Sequence, residues 1–438
     1  MRLIFLFILA IHTLGSYAQT SASGHYEGAV SRLGSVQLVK VDLKQNQNNV
    51  TGTYDIPELG YFDCAITNSG FNGDTLIINL QYGVFKCLFF QQTGEITGLN
   101  SNWGPPLYLH LKKYGQKEKY FSEEELNFSN GKINLSGVLF KPVRVTDYPI
   151  VIMVHGSGAV DRNAPYYHSL GYALAQKGIG VFLYDKRGNG KSTGNADSAS
   201  MYDLAGDALA AMQLLKSKPE IKNKRVGFMG ISQGGWIVSI AANKTADCAF
   251  VILNVGPAVS VFEQDLHRVK YSMLQEGWPA TAIDSAVMYT TTYFEYAQTN
   301  SKSSLKKLLA AIKWASNVKW KEFINVPKTP IPADEFYWWR NNNYDPAADI
   351  QKFKIPVLSI LGEKDELVPP AENKAKMDSL LRISKTRYQV VEIPGVGHDK
   401  RTFQGLNGDD WKWPTAYWQW RKQPESYLTL LQDWILQL

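Results

Sequence analysis

The stretch GFMGISQGGW, residues 227–236, decides how the rest of the chain is interpreted. It holds Ser232 between Gly230 and Gly234, directly after an apolar run that predicts a buried β-strand. The apolar segment GWIVSIAA then predicts a helix, which places Ser232 on a sharp strand-to-helix turn. Because G-x-S-x-G arises by chance in roughly one chain in seven of this length, the surrounding sequence has to show whether Ser232 is a nucleophile or an ordinary turn residue.

The two glycines suit a turn of this kind, because it brings the backbone close to a neighbouring strand and helix. A Cβ atom at Gly230 or Gly234 is therefore expected to clash. The helix that starts at the turn also directs free N–H groups toward the serine, and such groups stabilise developing negative charge.

A nucleophilic serine needs a base to take its proton and an acid to orient that base. Among seven histidines, His398 is the candidate base, because EIPGVGHDK places it in a glycine-containing loop after a predicted buried strand. His155 also follows a predicted strand, in MVHGSG, whereas His168 and His267 lack such a setting. The alternative interpretation of His398 is a surface loop histidine.

The candidate acid is Asp365, which follows an apolar strand pattern in IPVLSILGEKDELVPP. Taken alone, it is equally well explained as a turn aspartate. The chain order Ser232, Asp365, His398 favours the interpretation of Asp365 as the acid. Nucleophile, acid and base follow one another in this order along the chain in one known arrangement of parallel strands and helices. Glu363 is the alternative acid.

The segment HGSG, residues 155–158, predicts an oxyanion-binding site. Small residues after a strand leave backbone N–H groups free, and we expect the N–H of Ser157 to be one donor. The N–H of Gln233, directly after the serine, is the expected second donor.

Other chemistries find little support. DKRGNGKST, residues 185–193, resembles a phosphate-binding loop, but Asp185 stands where that motif requires glycine. Neither C-x-x-C nor H-E-x-x-H occurs, so no zinc site is predicted, and no cofactor is expected. A net charge of +6 on 438 residues gives no reason to expect a nucleic-acid partner.

The N-terminus predicts export. One arginine precedes an apolar run from Leu3 to Leu14 and a small-residue cleavage pattern that ends at Ala18. The run is too short to span a bilayer, so we expect a signal peptide over residues 1–18 and a periplasmic or extracellular protein, with an uncleaved anchor as the alternative. No later segment has about 20 unbroken apolar residues, so stable membrane insertion is not expected.

Two domains are predicted. Residues 19–120 alternate apolar and polar positions between turn clusters, which predicts a small antiparallel β domain. Over residues 126–438 an opening hairpin is followed by apolar runs that alternate with helical segments. This pattern predicts a mostly parallel sheet with helices on both faces, interrupted by a helical cap insertion at about residues 258–350.

Three features leave alternatives open. Cys64 and Cys87 form a disulfide in one interpretation, with Cys248 a buried thiol, and all three are buried and unpaired in the other. SLKKLLAAIKW, residues 304–314, is an amphipathic helix that packs on its own protein or lies on a membrane surface. Aromatic clusters either form a substrate wall or pack in the core. These clusters are EFYWWRNNNYDP in the cap insertion and Trp411, Trp413, Trp418 and Trp420 near the C-terminus.

The successive motifs resemble the landmarks of the serine-dependent α/β-hydrolase superfamily, close to bacterial esterases related to the prolyl-oligopeptidase and serine-aminopeptidase groups. The resemblance covers about 300 residues, from roughly residue 126 onward, and rests on HGSGAVDRN, YDKRGNGKSTG, DLAGDALAAMQLLK, GISQGG, YDPAADIQKFKIPVLSILGEKDELVPP and IPGVGHD. It implies an α/β-hydrolase fold, the triad Ser232, Asp365 and His398, and oxyanion donors at Ser157 and Gln233. The N-terminal β domain and the aromatic C-terminal stretch depart from it and leave the substrate open.

We therefore expect a carboxylic-ester hydrolase that acts on small-molecule esters, with acylated sugars and short peptides as further candidates. The first alternative is a serine peptidase, which would need carboxylates in the cap insertion to hold a substrate's amino terminus. The candidates for that role are Glu263, Asp265, Glu276, Asp334 and Glu335. The second is a catalytically inactive protein whose β domain binds a polysaccharide or a partner, against a purely structural role for that domain. The oligomeric state stays undetermined.

Overall fold

A computed structural model describes residues 21–32, 35–101, 106–221, 223–402 and 423–438. The expected signal peptide and the four tryptophans of the C-terminal aromatic stretch lie outside these residues. The chain divides into two compact units: the described residues up to Tyr54 together with Ala65–Lys117 form the first, and Asp55–Cys64 with the described residues from Glu118 onward form the second. The second unit thus includes a short segment from within the sequence of the N-terminal region.

The first unit is built on an antiparallel β-barrel, in which each strand pairs with the next and the last closes on the first. The inward positions follow the alternation seen in the sequence: Leu76, Ile78 and Leu80 are buried, and intervening positions are more exposed. The strands are β1 (Gly24–Arg32), β2 (Ser35–Asn46), β3 (Asn49–Ile56), β4 (Tyr61–Asn72), β5 (Thr75–Leu80), β6 (Gly83–Phe90), β7 (Glu95–Asn100) and β8 (Leu107–Lys113). The predicted antiparallel β domain is confirmed.

The second unit is built on an eight-stranded sheet in the order β16-β15-β14-β13-β11-β12-β10-β9. Its strands are β9 (Phe121–Asn130), β10 (Ile133–Pro142), β11 (Ile150–Val154), β12 (Gly180–Tyr184), β13 (Val226–Ile231), β14 (Cys248–Asn254), β15 (Val357–Gly362) and β16 (Tyr388–Ile393). The strands from β11 onward run parallel, whereas β9 and β10 form the predicted antiparallel hairpin. The predicted α/β fold with a mostly parallel sheet is confirmed.

Helices cover both faces of this sheet. They are α1 (Pro165–Gln176), α2 (Met201–Ser217), α3 (Gln233–Ala242), α4 (Val261–Gln275), α5 (Ala280–Thr299), α6 (Lys302–Ala315), α7 (Tyr337–Asn341), α8 (Ala347–Ile350), α9 (Pro370–Ser384) and α10 (Glu425–Leu436). Alternate residues of β11 enter different cores: Ile150 and Ile152 pack with α2 and α3, and Val151 and Met153 pack with α1 and α10. Burial on both faces explains why these strands read as unbroken apolar runs.

The helices α4 to α8 lie between β14 and β15 in the chain. In α6, Leu308 and Ile312 are fully or almost fully buried, while Leu309 on the other side is exposed. The stripe in residues 304–314 therefore contributes to the protein's own core. No helix in the described ranges is long and apolar enough to cross a membrane.

The cysteines do not form the disulfide considered from the sequence. Cys64, Cys87 and Cys248 are all buried thiols in the structure. Burial raises the pKa of Cys87 to about 12, so this thiol stays protonated and unreactive at neutral pH.

A buried ion pair joins the loop after β12 to α2. Arg187 Nε and Nη2 lie 2.7 Å from the two carboxylate oxygens of Asp207, and both side chains are at most 9% exposed. Such a pair is costly to break, because removal of one partner leaves the other charge buried without compensation.

We therefore expect Asp207→Asn to lower the free energy of unfolding by about 3 kcal/mol, measured by urea denaturation. Glu125→Gln is the matched control, because Glu125 pairs with Lys191 on the surface and both side chains are more than 60% exposed. The control should leave the unfolding midpoint unchanged, since exposed pairs contribute little. Equal midpoints for Asp207→Asn and wild type would contradict this account of the pair.

Candidate active site

Ser232 lies at the sharp turn between β13 and α3, with φ 54° and ψ −121°. A positive φ is strained for a residue with a side chain, so the surrounding contacts must hold it. The Ser232 N–H donates to Asn254 O at 3.0 Å, and Gly235 N–H donates to Ser232 O at 2.7 Å. The hydroxyl makes no capping bond to α3, which leaves it available for chemistry.

The glycines on either side of Ser232 allow this turn to pack against β11. A Cβ atom built on Gly230 would lie 2.2 Å from Gly234 O, and one built on Gly234 would lie 2.4 Å from Val154 O. Both distances are far below van der Waals contact, so neither position accepts a side chain without backbone movement. The clash predicted for a Cβ atom at each of these two positions is thus confirmed.

Asp365 and His398 form a hydrogen-bonded pair after β15 and β16. His398 Nδ1 lies 2.9 and 2.8 Å from Asp365 Oδ1 and Oδ2, and Asp365 is completely buried. The N–H groups of Leu367 and Val368 donate to Asp365 Oδ1 at 2.9 and 2.8 Å, which fixes the carboxylate. Because a carboxylate only accepts hydrogen bonds, the Nδ1 proton is held there and Nε2 is left as the basic nitrogen.

Glu363, the alternative acid, has a different role. Its Oε2 accepts a hydrogen bond from Gly395 N–H at 2.7 Å, and its own N–H donates to Ile393 O at 3.1 Å. The Gly395 N–H holds the pKa of this carboxyl below its usual value. Together with the bond from Lys364 N–H to Val396 O at 2.9 Å, these contacts join the loop of Asp365 to the loop of His398.

The other strand-end histidine, His155, is unsuited to act as a base. Its ring lies between Tyr167 and Tyr184, with centroid distances of 5.0 and 4.9 Å. Burial lowers the pKa of His155 to about 3, so it binds no proton near neutral pH. His168 has a different partner, with Nε2 3.5 Å from Asp63 Oδ2.

The segment HGSG lies next to the nucleophile turn. A Cβ atom built on Gly156 would lie 3.3 Å from Ser232 Cβ, so the two backbones are close. The N–H of Gly156 donates to Tyr167 Oη at 2.8 Å and is therefore occupied. Ser157 and Gln233 line the same cavity as Ser232.

Lys186 holds this segment, and sequence reasoning missed it. Its Nζ donates to Gly156 O at 2.9 Å, Gly158 O at 3.2 Å and Gln233 Oε1 at 3.3 Å. It belongs to the stretch that resembles a phosphate-binding loop, and its signal in the sequence is its position two residues after β12. The ammonium connects the two segments that carry the expected oxyanion donors.

Lys400 is a second buried lysine near the site. Its Nζ donates to His398 O at 2.8 Å and lies 4.4 Å from the ring centroid of Tyr166. Lys400 is 3% exposed, and burial lowers its pKa to about 8. It stabilises the backbone of the loop that carries His398.

A cavity of about 190 Å³ opens at Ser232. Its wall is mainly apolar and aromatic, with Trp338 and Trp339 contributed by the motif EFYWWRNNNYDP. One carboxylate of the five considered from the sequence, Asp265, lines it. Glu263 instead accepts from Ser260 N–H at 3.0 Å in a capping box at the start of α4.

The predicted residues form two groups in the structure. Ser232, Ser157 and Gln233 surround the cavity, and His398 is paired with Asp365. The two groups are linked through Leu367 and Val368, which line the cavity and donate to Asp365. In the described part of the chain, no cluster of three or more His, Cys, Asp or Glu residues is placed to hold a metal ion.

Lys186 should give the folding stability a specific pH dependence. Burial lowers the pKa of Lys186 from 10.5 to about 8. Between these values the unfolded chain binds a proton that the folded chain does not, so the free energy of unfolding rises with pH. Relative to Lys186→Met, the wild type should gain about 3 kcal/mol between about pH 7 and pH 10.5.

Urea denaturation across this pH range measures the difference. The titration of Lys400 is present in both proteins and cancels. Lys191→Met is the matched control, because Lys191 lies in the same loop but its side chain is 63% exposed, and it should show no such change. A difference between wild type and Lys186→Met that is constant with pH would contradict a depressed pKa.

Known proteins similar to this chain support the assignment of its fold. The family model of the alpha/beta hydrolase fold matches residues 149–399. Esterase EstD of Thermotoga maritima is 25% identical over 304 residues, which are 66% of this chain and 62% of EstD. This chain therefore covers less than two thirds of that relative's length.

Two solved structures are also similar. A Pyrococcus furiosus esterase has a TM-score of 0.45 at 15% identity, over 72% of this chain and 90% of its own. A proline iminopeptidase of Mycobacterium smegmatis has a TM-score of 0.45 at 16% identity, over 72% and 98% of the respective chains. Likenesses this weak carry no argument about activity. By the family match, which spans more than half of the sequence and contains the turn at Ser232 together with Asp365 and His398, the chain belongs to the alpha/beta hydrolase family.

Proposed function

We propose that the protein is an exported carboxylic-ester hydrolase that acts on small-molecule esters through an acyl-enzyme. Ser232 Oγ attacks the ester carbonyl carbon while His398 Nε2 takes the hydroxyl proton. The oxyanion of the tetrahedral intermediate accepts hydrogen bonds from the N–H groups of Ser157 and Gln233. As the intermediate collapses, the C–O bond to the alcohol breaks and His398 gives its proton to the leaving oxygen.

Water then completes the reaction. His398 takes a proton from water, the resulting hydroxide attacks the acyl carbon, and Ser232 leaves with the proton from His398. Asp365 keeps Nδ1 protonated and stabilises the imidazolium that forms in each step. His398 and Ser232 share no hydrogen bond in the structure, and catalytic hydrogen bonds of this kind often shorten only when substrate binds.

One observation carries the proposal: Ser232 is held at a positive φ on the turn between β13 and α3 and lines a cavity together with Ser157 and Gln233. A structural serine at a helix start normally caps the helix, and Ser232 does not. The similar protein EstD is named an esterase, which is consistent with this proposal. Export rests on the N-terminal sequence pattern alone.

A serine peptidase is the second candidate, since Asp265 is a carboxylate in the cavity wall. Its Oδ1 is already 2.7 Å from Arg268 Nε, which neutralises much of its charge. An ammonium group would therefore gain little there, and the ester hydrolase is the better-supported function.

We expect purified protein to hydrolyse p-nitrophenyl acetate and butyrate, measured by nitrophenolate release, and to cleave aminoacyl p-nitroanilides far more slowly. Ser232→Ala should lower kcat/KM for the esters about a thousandfold or more, because it removes the nucleophile. Ser157→Ala is the matched control, since it keeps the backbone N–H and should stay close to wild type.

Two results would contradict the proposal. Ester hydrolysis that survives in Ser232→Ala would show that Ser232 is not the nucleophile. Aminoacyl anilides cleaved as fast as esters would favour the peptidase. Circular dichroism of each variant shows whether a loss of activity comes from a loss of fold.

A further inference from the structure

Asp265 of α4 has an unused hydrogen-bonding capacity in the cavity wall. Its side chain is 14% exposed, and its Oδ1 accepts from Arg268 Nε at 2.7 Å. Its Oδ2 is buried and has no hydrogen-bond partner among the described residues. A buried acceptor left unsatisfied destabilises the protein, and more so when it is charged. A ligand that supplies a donor to Oδ2, after a turn of the carboxylate toward the cavity, would satisfy this acceptor.

The side-chain amide acceptors of the wall are occupied. Gln264 Oε1 accepts from Asn373 Nδ2 at 3.1 Å, and Gln264 Nε2 donates to Leu367 O. Gln233 Oε1 accepts from Lys186 Nζ at 3.3 Å. Among the carboxylate and amide acceptors that line the described cavity, Asp265 Oδ2 is thus the one left open.

The surroundings of Asp265 determine which donor fits. Arg268 also lines the cavity, and its Nη2 donates to Phe323 O at 3.1 Å, which holds the guanidinium beside Asp265. A cationic ligand would meet this like charge, and the pair has little net charge to attract it. Most of the remaining wall is apolar or aromatic, including Trp338 and Trp339. A neutral hydroxyl meets these conditions better than an ammonium group does.

We propose that Asp265 is a specificity-determining residue that accepts a hydrogen bond from a hydroxyl group of the substrate, so that the enzyme selects hydroxylated esters. This inference rests on the proposed ester hydrolase. A substrate with a methyl group in place of the hydroxyl would leave Oδ2 buried without a donor, and sites built around a substrate hydroxyl reject such analogues strongly. The hydroxyl belongs to the acyl group or to the alcohol, and the experiment separates these two sources.

The experiment compares kcat/KM for esters of matched shape. In the acyl arm, p-nitrophenyl 3-hydroxybutyrate is compared with p-nitrophenyl 3-methylbutyrate, which replaces the hydroxyl by methyl. In the alcohol arm, 2-hydroxyethyl acetate is compared with propyl acetate by pH-stat titration. We expect the hydroxylated ester to be preferred about tenfold or more in one arm.

Variants identify the acceptor. Asp265→Leu should reduce the preference to near unity while still hydrolysing the methyl-bearing ester, which reports on Ser232. Glu276→Leu is the matched control, since Glu276 is an exposed carboxylate at the end of α4, and it should keep the preference. Arg268→Met removes the neutralising cation and should raise the rate with p-nitrophenyl 3-aminobutyrate relative to the hydroxybutyrate.

Each remaining outcome overturns the inference. Equal rates for hydroxyl and methyl esters in both arms would overturn the role of Asp265 and leave the ester hydrolase standing. A wild-type preference for the 3-aminobutyrate ester would show that the site recognises a cationic group and not a hydroxyl. A preference that persists in Asp265→Leu would assign it to another group. Failure of the wild type to hydrolyse any of these esters would overturn the proposed function as well.

Discussion

The close packing of the turn at Ser232 against β11 is the constraint on which the site depends. Gly234 approaches Val154 O so closely that a Cβ atom would lie 2.4 Å away, and this contact places the start of α3 beside HGSG. Ser157 and Gln233 line one cavity together with Ser232. The positive φ of Ser232 is stabilised by this packing and by the hydrogen bonds to Asn254 and Gly235, and the Ser232 hydroxyl makes no capping bond to α3.

Buried polar groups then hold the loops at the carboxyl edge of the sheet. Asp365 accepts from two backbone N–H groups as well as from His398, so its position is fixed before any substrate binds. Lys186 donates to backbone carbonyls of the HGSG segment, and Lys400 donates to the carbonyl of His398 in its own loop. Burying an ammonium is costly, and burial lowers the pKa of each of these lysines to about 8. The protein thus gives up folding stability near neutral pH to order the segments around the nucleophile.

Much of this arrangement was predictable from the sequence, because parallel strands buried on both faces read as apolar runs and their carboxyl ends share one edge. Since Ser232, Asp365 and His398 each come after such a run, the sequence was enough to predict that they lie at this edge. Chain order placed the candidate acid in the loop after β15 but could not choose between Asp365 and Glu363, since two carboxylates in one loop cannot be separated without the loop geometry. Closure of the first unit into a barrel depends on the pairing of β1 with β8, and no local sequence pattern predicts a pairing between strands so far apart in the chain. The contacts of Lys186 are to carbonyls far away in sequence, so composition could not reveal them.

The role proposed for Asp265 was not predictable from the sequence either. The sequence shows five carboxylates in the inserted helices, and the structure distinguishes Asp265 by its place in the cavity wall and its unsatisfied oxygen. Glu263 is used in a capping box with Ser260 at the start of α4, and the spacing of these two residues in the sequence is typical of such a box. The proposed substrate preference therefore depends on packing in the insertion, whereas the proposed reaction type depends on residues at strand ends.

The most direct test of the account is the mass of the intact protein after exposure to a fluorophosphonate, followed by peptide mapping. An activated serine attacks phosphorus and expels fluoride, which adds one phosphonyl group to the protein. The account predicts a single adduct on Ser232 of the folded protein and none after thermal unfolding. The absence of an adduct on protein shown to be folded, or an adduct on a different serine, would contradict it.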